Sequence, residues 1–206
     1  IIMAIVNSRK PKTLNELTFK HIEVIEKFEE LLEQGIYGLT MSDIAAKLRV
    51  SLRTLYEIAP SKEHLITATM DRLFTHVGRQ ATAAMEEVES PMSKLRAYIK
   101  VGYEVVGPKI RKFHTDLNNV RGVVETLDYH RDYFIAQIEE LLEEAVKHNE
   151  ITDTDTHVVA IALGAVPLLL SDYFYHRENY QRELDVTLEN SAHLIADLIL
   201  EGLNQK

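Results

Sequence analysis

The chain has 206 residues, 46% hydrophobic and 27% charged, a composition that supports folded cores and excludes a disordered or fibrous protein. It contains no cysteine, which rules out disulfides, thiolate zinc sites and a cysteine nucleophile. The net charge of −9 runs against a nucleic-acid binder, yet up to Ile66 nine basic and nine acidic residues cancel, so the whole acidic excess lies beyond that point.

The opening Ile1 to Val6 is apolar but precedes its basic residues, the reverse of a secretory signal. The longest apolar candidate, Val158 to Leu170, falls short of the roughly 18 residues a membrane span needs, so a cytoplasmic protein without membrane partners is expected.

Apolar residues recur at helical spacing almost throughout, which predicts an all-α fold. Ile22, Ile25, Phe28, Leu31 and Leu32 form one stripe of a first helix over about 15–34, ended by Gly35 and Gly38 because glycine accepts the left-handed backbone of a helix stop. Thr40-Met41-Ser42-Asp43 has the form of a capping box and starts a short helix whose inner face is Met41, Ile44, Ala45 and Leu48. Leu48-Arg49-Val50 makes a turn and Ser51 caps the next short helix, on which Leu55 faces the core and Leu52, Arg53, Thr54 and Tyr56 face outward. The stretch Gly38 to Lys62 therefore reads as a helix-turn-helix. Its outward face suits the DNA major groove, with Arg53 donating to guanine, Thr54 meeting a base or phosphate, and Tyr56 and Lys62 on phosphates.

Ser61 caps a long helix from Lys62, and Ser90-Pro91 and Gly107-Pro108 each place proline at a first helical position, so short helices are expected after both. Tyr133, Phe134, Ile138, Leu141, Leu142, Ala145 and Val146 predict a long helix closed by a turn over 149–153. Helices over about 155–176 and 184–204 follow, with Pro167 expected to kink the first. The organisation is a helix-turn-helix DNA-binding domain over 12–60 and a helical regulatory and dimerisation domain over 61–206. Tyr98, Tyr103, Phe113, His114, Tyr129 and Tyr133 are candidate ligand-pocket lining, joining apolar walls to polar tips.

No glutamate–histidine pair has the i, i+3 spacing of a di-iron bundle, and there is no phosphate-cradling glycine loop, nucleophile elbow or His-Glu-x-x-His. No enzyme activity, cofactor or metal is expected, although a metal-responsive site on His114, Asp116 or His130 stays open.

The strings Gly35-x-x-Gly38-x-Thr40-Met41-x-Asp43-Ile44-Ala45, Val50-Ser51-x-x-Thr54-Leu55-Tyr56 and Ser61-Lys62-Glu63-x-Leu65 together resemble the N-terminal domain of TetR-family regulators over roughly residues 18–66. The resemblance implies a three-helix DNA-binding domain, a larger helical ligand-binding and dimerisation domain, and release from an operator by a small molecule. It implies phosphate contacts from Thr40, Ser51, Tyr56 and Lys62, with Leu52, Arg53 and Thr54 nearest the bases. It further implies a homodimer through the last two helices. The chain departs from the pattern at Arg49, where the family usually has glycine, and at Glu57, Ile58 and Ala59 after the recognition helix. Arg49 should carry a positive φ. Glu57, Ala59 and the acidic total favour a second reading, a helical ligand- or protein-binding module with weak or lost DNA binding.

Overall fold

The first helix begins where Thr18 closes a capping box with His21: the His21 backbone N–H donates to the Thr18 hydroxyl and the Thr18 N–H to His21 Nδ1, both at 3.3 Å. In the computed structural model, which describes residues 18–117, 120–175 and 188–203, this helix, α1, spans Phe19–Glu33. It is followed by α2 (Met41–Leu48), α3 (Leu52–Ile58), α4 (Lys62–Glu86), α5 (Pro91–Leu117), α6 (Arg121–Lys147), α7 (Thr156–Tyr175) and α8 (Leu188–Gly202). The chain is all-α, as its periodicity predicts.

The chain divides into two compact units, Ile1–Leu73 with Lys112–Leu127 and Phe74–Arg111 with Asp128–Lys206. In the first, most of the predicted stripe of α1 turns inward: Ile25, Phe28, Leu31 and Leu32 are buried, along with Ile44, Ala45 and Leu48 of α2 and Leu55 and Ile58 of α3, while Ile22 and Met41, each in the first turns of its helix, are half-buried. Helix α1 packs on α2 and α2 on α3, so the short helices are held by tertiary burial, which isolated segments of seven or eight residues need to stay helical. Gly35 and Gly38 both have positive φ, +88° and +76°, and so stop α1 and turn the chain toward Thr40.

In the second unit, Leu95, Tyr98, Ile99 and Tyr103 of α5 share a core with Ile138, Leu141, Leu142 and Ala145 of α6, Ala160 and Leu163 of α7, and Ala192, Ala196 and Leu200 of α8. Pro91 opens α5 as expected, but no new helix starts at Gly107-Pro108. Helix α5 runs through Pro108 to Leu117, losing one backbone donor and continuing. Helix α6 starts at Arg121 and ends at Lys147, and just beyond it Asn149, with φ +57°, lets the Glu150 N–H reach back to the Ala145 carbonyl at 2.9 Å.

Pro167 lies within α7, which is assigned as one helix; its side chain and any kink it makes lie outside the described residues. Its missing N–H nevertheless leaves the Leu163 carbonyl, four residues earlier, without the usual helical donor. The Tyr103 hydroxyl supplies one, donating to Leu163 O at 2.5 Å. Among the described residues no helix is long and apolar enough to cross a membrane.

Candidate nucleic-acid interface

The second helix starts on the predicted box. The Asp43 N–H donates to Thr40 Oγ1 at 3.2 Å, and the Thr40 N–H and hydroxyl donate to Asp43 Oδ2 at 2.8 and 2.6 Å. These Thr40 bonds hold the Asp43 carboxyl below the usual aspartate range, so the charge is present and internally engaged. At the other end Arg49 has φ +56° and ψ +41°, the left-handed conformation its departure from glycine predicts. Two bonds close the helix there, Arg49 N–H to Ala46 O at 3.2 Å and Val50 N–H to Ala45 O at 3.0 Å, the Schellman pattern. A left-handed non-glycine residue is disfavoured, so Arg49→Gly should raise unfolding stability by about 0.5–1 kcal/mol after the extra chain entropy of glycine is offset. A urea midpoint unchanged or lowered in that variant would contradict the strain.

Ser51 caps α3 by accepting the Thr54 N–H at 3.0 Å, and the Ser51 and Thr54 hydroxyls bond each other at 2.8 Å. Thr54 is thereby drawn inward. Of the four residues expected to face out, Leu52, Arg53 and Tyr56 do, while Thr54 is only 9% exposed with its hydroxyl already committed to the cap. Lys62, at the start of α4, is half-buried and donates from Nζ to the Leu39 carbonyl at 3.0 Å, tying α4 to the approach of α2. Ser61 caps that helix through the His64 N–H at 3.3 Å.

Glu57 is partnered on both sides. Arg53 Nε donates to its Oε1 at 3.0 Å, and His21 Nε2 lies 3.7 Å from its Oε2. The Arg53 bond first, and His21 second, hold the Glu57 carboxyl below the usual glutamate range. Ala59, the other departure, is buried at the end of α3. Lys47 and Arg49 stand exposed at the end of α2, cationic groups that the sequence reading did not count among the DNA contacts although the Lys-Arg cluster 47–53 was their signal. His21 left no signal, because histidine is not a usual third residue of a capping box.

The aromatic residues expected to line a ligand pocket are dispersed. Tyr98 and Tyr103 are buried, Tyr98 stacked on Phe134 with ring centroids 5.0 Å apart, and burial raises both hydroxyls well above the usual tyrosine value. Tyr129 and Tyr133 are 68% and 54% exposed, and the side chains of Phe113 and His114 lie outside the described residues. Two clefts open on the second unit. One, of about 350 Å³, is lined by Met85, Lys94, Gln137 and Glu140 among others; the second, of about 300 Å³, by Arg96, Lys100, His193 and Asp197 among others. Neither includes any of the six aromatic or histidine candidates. Among the described residues no group of three His, Asp or Glu could hold a metal ion.

This arrangement, a buried two-helix frame presenting the side chains of a short second helix, is that of a helix-turn-helix regulator of transcription. Residues 28–69 match the sequence model of the bacterial regulatory proteins, tetR family. No curated protein matches the sequence. Among solved structures, the chain is similar to the fatty acid degradation regulator FadR from Bacillus halodurans, at 15% identity over 93% of this chain and 100% of that one, with a TM-score of 0.72. It is similar to a transcriptional regulator from Cytophaga hutchinsonii at 15% identity over 90% and 99% of the two chains, with a TM-score of 0.71. A third, AibR in complex with isovaleryl coenzyme A and operator DNA, is 21% identical over 87% of this chain and 97% of that one, with a TM-score of 0.59. At these identities the solved structures carry the fold alone.

Proposed function

We propose that the chain is a sequence-specific DNA-binding transcription regulator, a repressor released by a small-molecule effector and working in the cytoplasm as a homodimer. The observation that carries this reading is the rigidly capped pair α2 and α3, which leaves Leu52, Arg53 and Tyr56 exposed on a short helix while both nearby carboxylates, Asp43 and Glu57, are engaged by partners of their own. Arg53 reads a guanine edge, Leu52 packs against bases, and Tyr56, Ser51 and Lys62 meet phosphates, while Thr40, whose N–H and hydroxyl are both given to Asp43, fixes the start of α2 beside them. Lys62 keeps donors in hand for this, since an ammonium has three and one is on Leu39. Thr54 braces the Ser51 cap and shapes the edge of the reading surface.

Helix α7 exposes Val158, Ile161 and Leu169, and α8 exposes Leu194 and Leu198, apolar surface that a second copy would bury in a four-helix interface. The effector belongs to the helical second domain. The AibR structure, solved with both isovaleryl coenzyme A and operator DNA, is the precedent for a regulator of this fold that takes both partners. The features that favoured a non-DNA-binding module, Glu57 and Ala59, have structural employment: one bridges His21 and Arg53, the other is buried.

Selection of the purified chain against a random duplex pool at two salt concentrations tests this reading. A palindromic sequence should be enriched, with salt-dependent affinity and a sedimentation mass near twice 23.6 kDa. Arg53→Ala should then relax preference at one guanine by about 1–3 kcal/mol, and Lys62→Ala should weaken all sequences alike. A pool with no enriched sequence and no salt dependence would remove the regulator reading.

A further inference from the structure

The acidic residue in the recognition helix is bonded at one oxygen and faces a buried histidine with the other. Glu57 Oε1 accepts from Arg53 Nε at 3.0 Å, one helical turn away, and Oε2 faces His21 Nε2 at 3.7 Å. His21 is itself fixed. It is buried in α1, and its Nδ1 accepts the Thr18 backbone N–H at 3.3 Å, so a neutral ring carries its proton on Nε2 and directs it at Glu57. The carboxylate thus sits between a hydrogen bond from its own helix and the polar ring edge of His21 on α1. Arg53 meanwhile is 88% exposed, and its bond through Nε leaves both terminal nitrogens, with four N–H groups in the guanidinium plane, unclaimed by Glu57.

Resting on the DNA-binding reading above, we propose that Glu57 is a positioning residue for base recognition. Facing His21 on one side, it holds the Arg53 guanidinium through Nε with its terminal nitrogens forward for the O6 and N7 edge of one guanine. A negative charge on a DNA-facing helix repels phosphate, so it weakens binding to every sequence. What it returns is a pre-oriented arginine, whose side chain would otherwise lose rotamer freedom on reaching the base. Charge and positioning therefore act in opposite directions on affinity and on discrimination. Because an exposed ion pair adds little to stability, its removal leaves the fold intact.

The test compares wild type, Arg53→Ala, Glu57→Ala and Glu57→Gln, each as the full chain. Each variant is measured on the sequence enriched from the random pool, on copies with every guanine changed in turn to adenine, and on an unrelated duplex. Arg53→Ala should lose roughly five- to 150-fold of preference at one guanine. Glu57→Ala should bind the unrelated duplex more tightly yet lose roughly two- to twelvefold of preference at that same guanine. Glu57→Gln should also bind the unrelated duplex more tightly but keep the preference, since its amide oxygen still accepts from Nε.

If Glu57→Ala keeps the guanine preference, or weakens every sequence alike, Glu57 is no more than a brace and the inference is overturned. The same holds if Glu57→Gln loses as much preference as Glu57→Ala. If Arg53→Ala leaves every preference intact while binding persists, the inference falls and the regulator reading stands. If no sequence is enriched at all, both fall.

Discussion

Replacing Phe28 by alanine should lower the unfolding free energy by about 3–5 kcal/mol and abolish duplex binding at ambient temperature. Phe28 has no exposed surface and sits on the inner stripe of α1 with Ile25 and Leu32, also wholly buried, in the unit that carries α2 and α3. Removing its ring takes away the apolar transfer energy and leaves a cavity that a three-helix core this small is poorly placed to refill. Neither α2, with eight residues, nor α3, with seven, persists as a helix without that core. Denaturant unfolding followed by circular dichroism, alongside duplex binding, measures both consequences. A loss under about 1 kcal/mol would mean that the α1 stripe is not what holds the helix-turn-helix.

Tyr103 should show a graded effect that separates its ring from its hydroxyl. Tyr103→Phe keeps the buried ring but strands the Leu163 carbonyl, which Pro167 cannot serve, and should cost about 1–3 kcal/mol. Tyr103→Ala adds the loss of ring packing in the second core and should cost about 3–5 kcal/mol. Thermal or urea unfolding of the two variants reads the difference directly. Were Tyr103→Phe as stable as wild type, the hydroxyl would be dispensable to α7, and Tyr103 would return to being plain core or pocket wall. The bond explains how a proline sits within a helix of a packed domain: a side chain of the neighbouring helix takes over one backbone hydrogen bond.

The first unit was legible because its signals are local. The Thr40–Asp43 box, the Ser51 cap, the two positive-φ glycines and the left-handed Arg49 each depend on residues within a few positions of one another, and all appear where the sequence places them. The start of α5 at Pro91 belongs to the same kind, since proline at a first helical position needs nothing from afar. Gly107-Pro108 misled because the same local signal was overridden by the continuing helix, a choice no short window contains. In the second unit the helix periodicity was readable. Which aromatic side chains would turn inward was not: Tyr98 and Tyr103 are buried while Tyr129 and Tyr133 stand exposed, and that depends on how four helices rotate against one another.

The sequence by itself determined the all-α class, the caps and turn of the helix-turn-helix and the stripe that buries α1, because hydrophobic periodicity and backbone stereochemistry act between near neighbours. Only the tertiary structure decided the rest. It turned Thr54 inward onto its own cap, set Tyr103 beneath the carbonyl that Pro167 abandons, and brought His21 from α1 against Glu57 on α3. The last two pairings join residues 60 and 36 positions apart in the chain, and the physics that selects them, satisfying a buried backbone carbonyl and an exposed carboxylate, operates only once packing has brought the helices together.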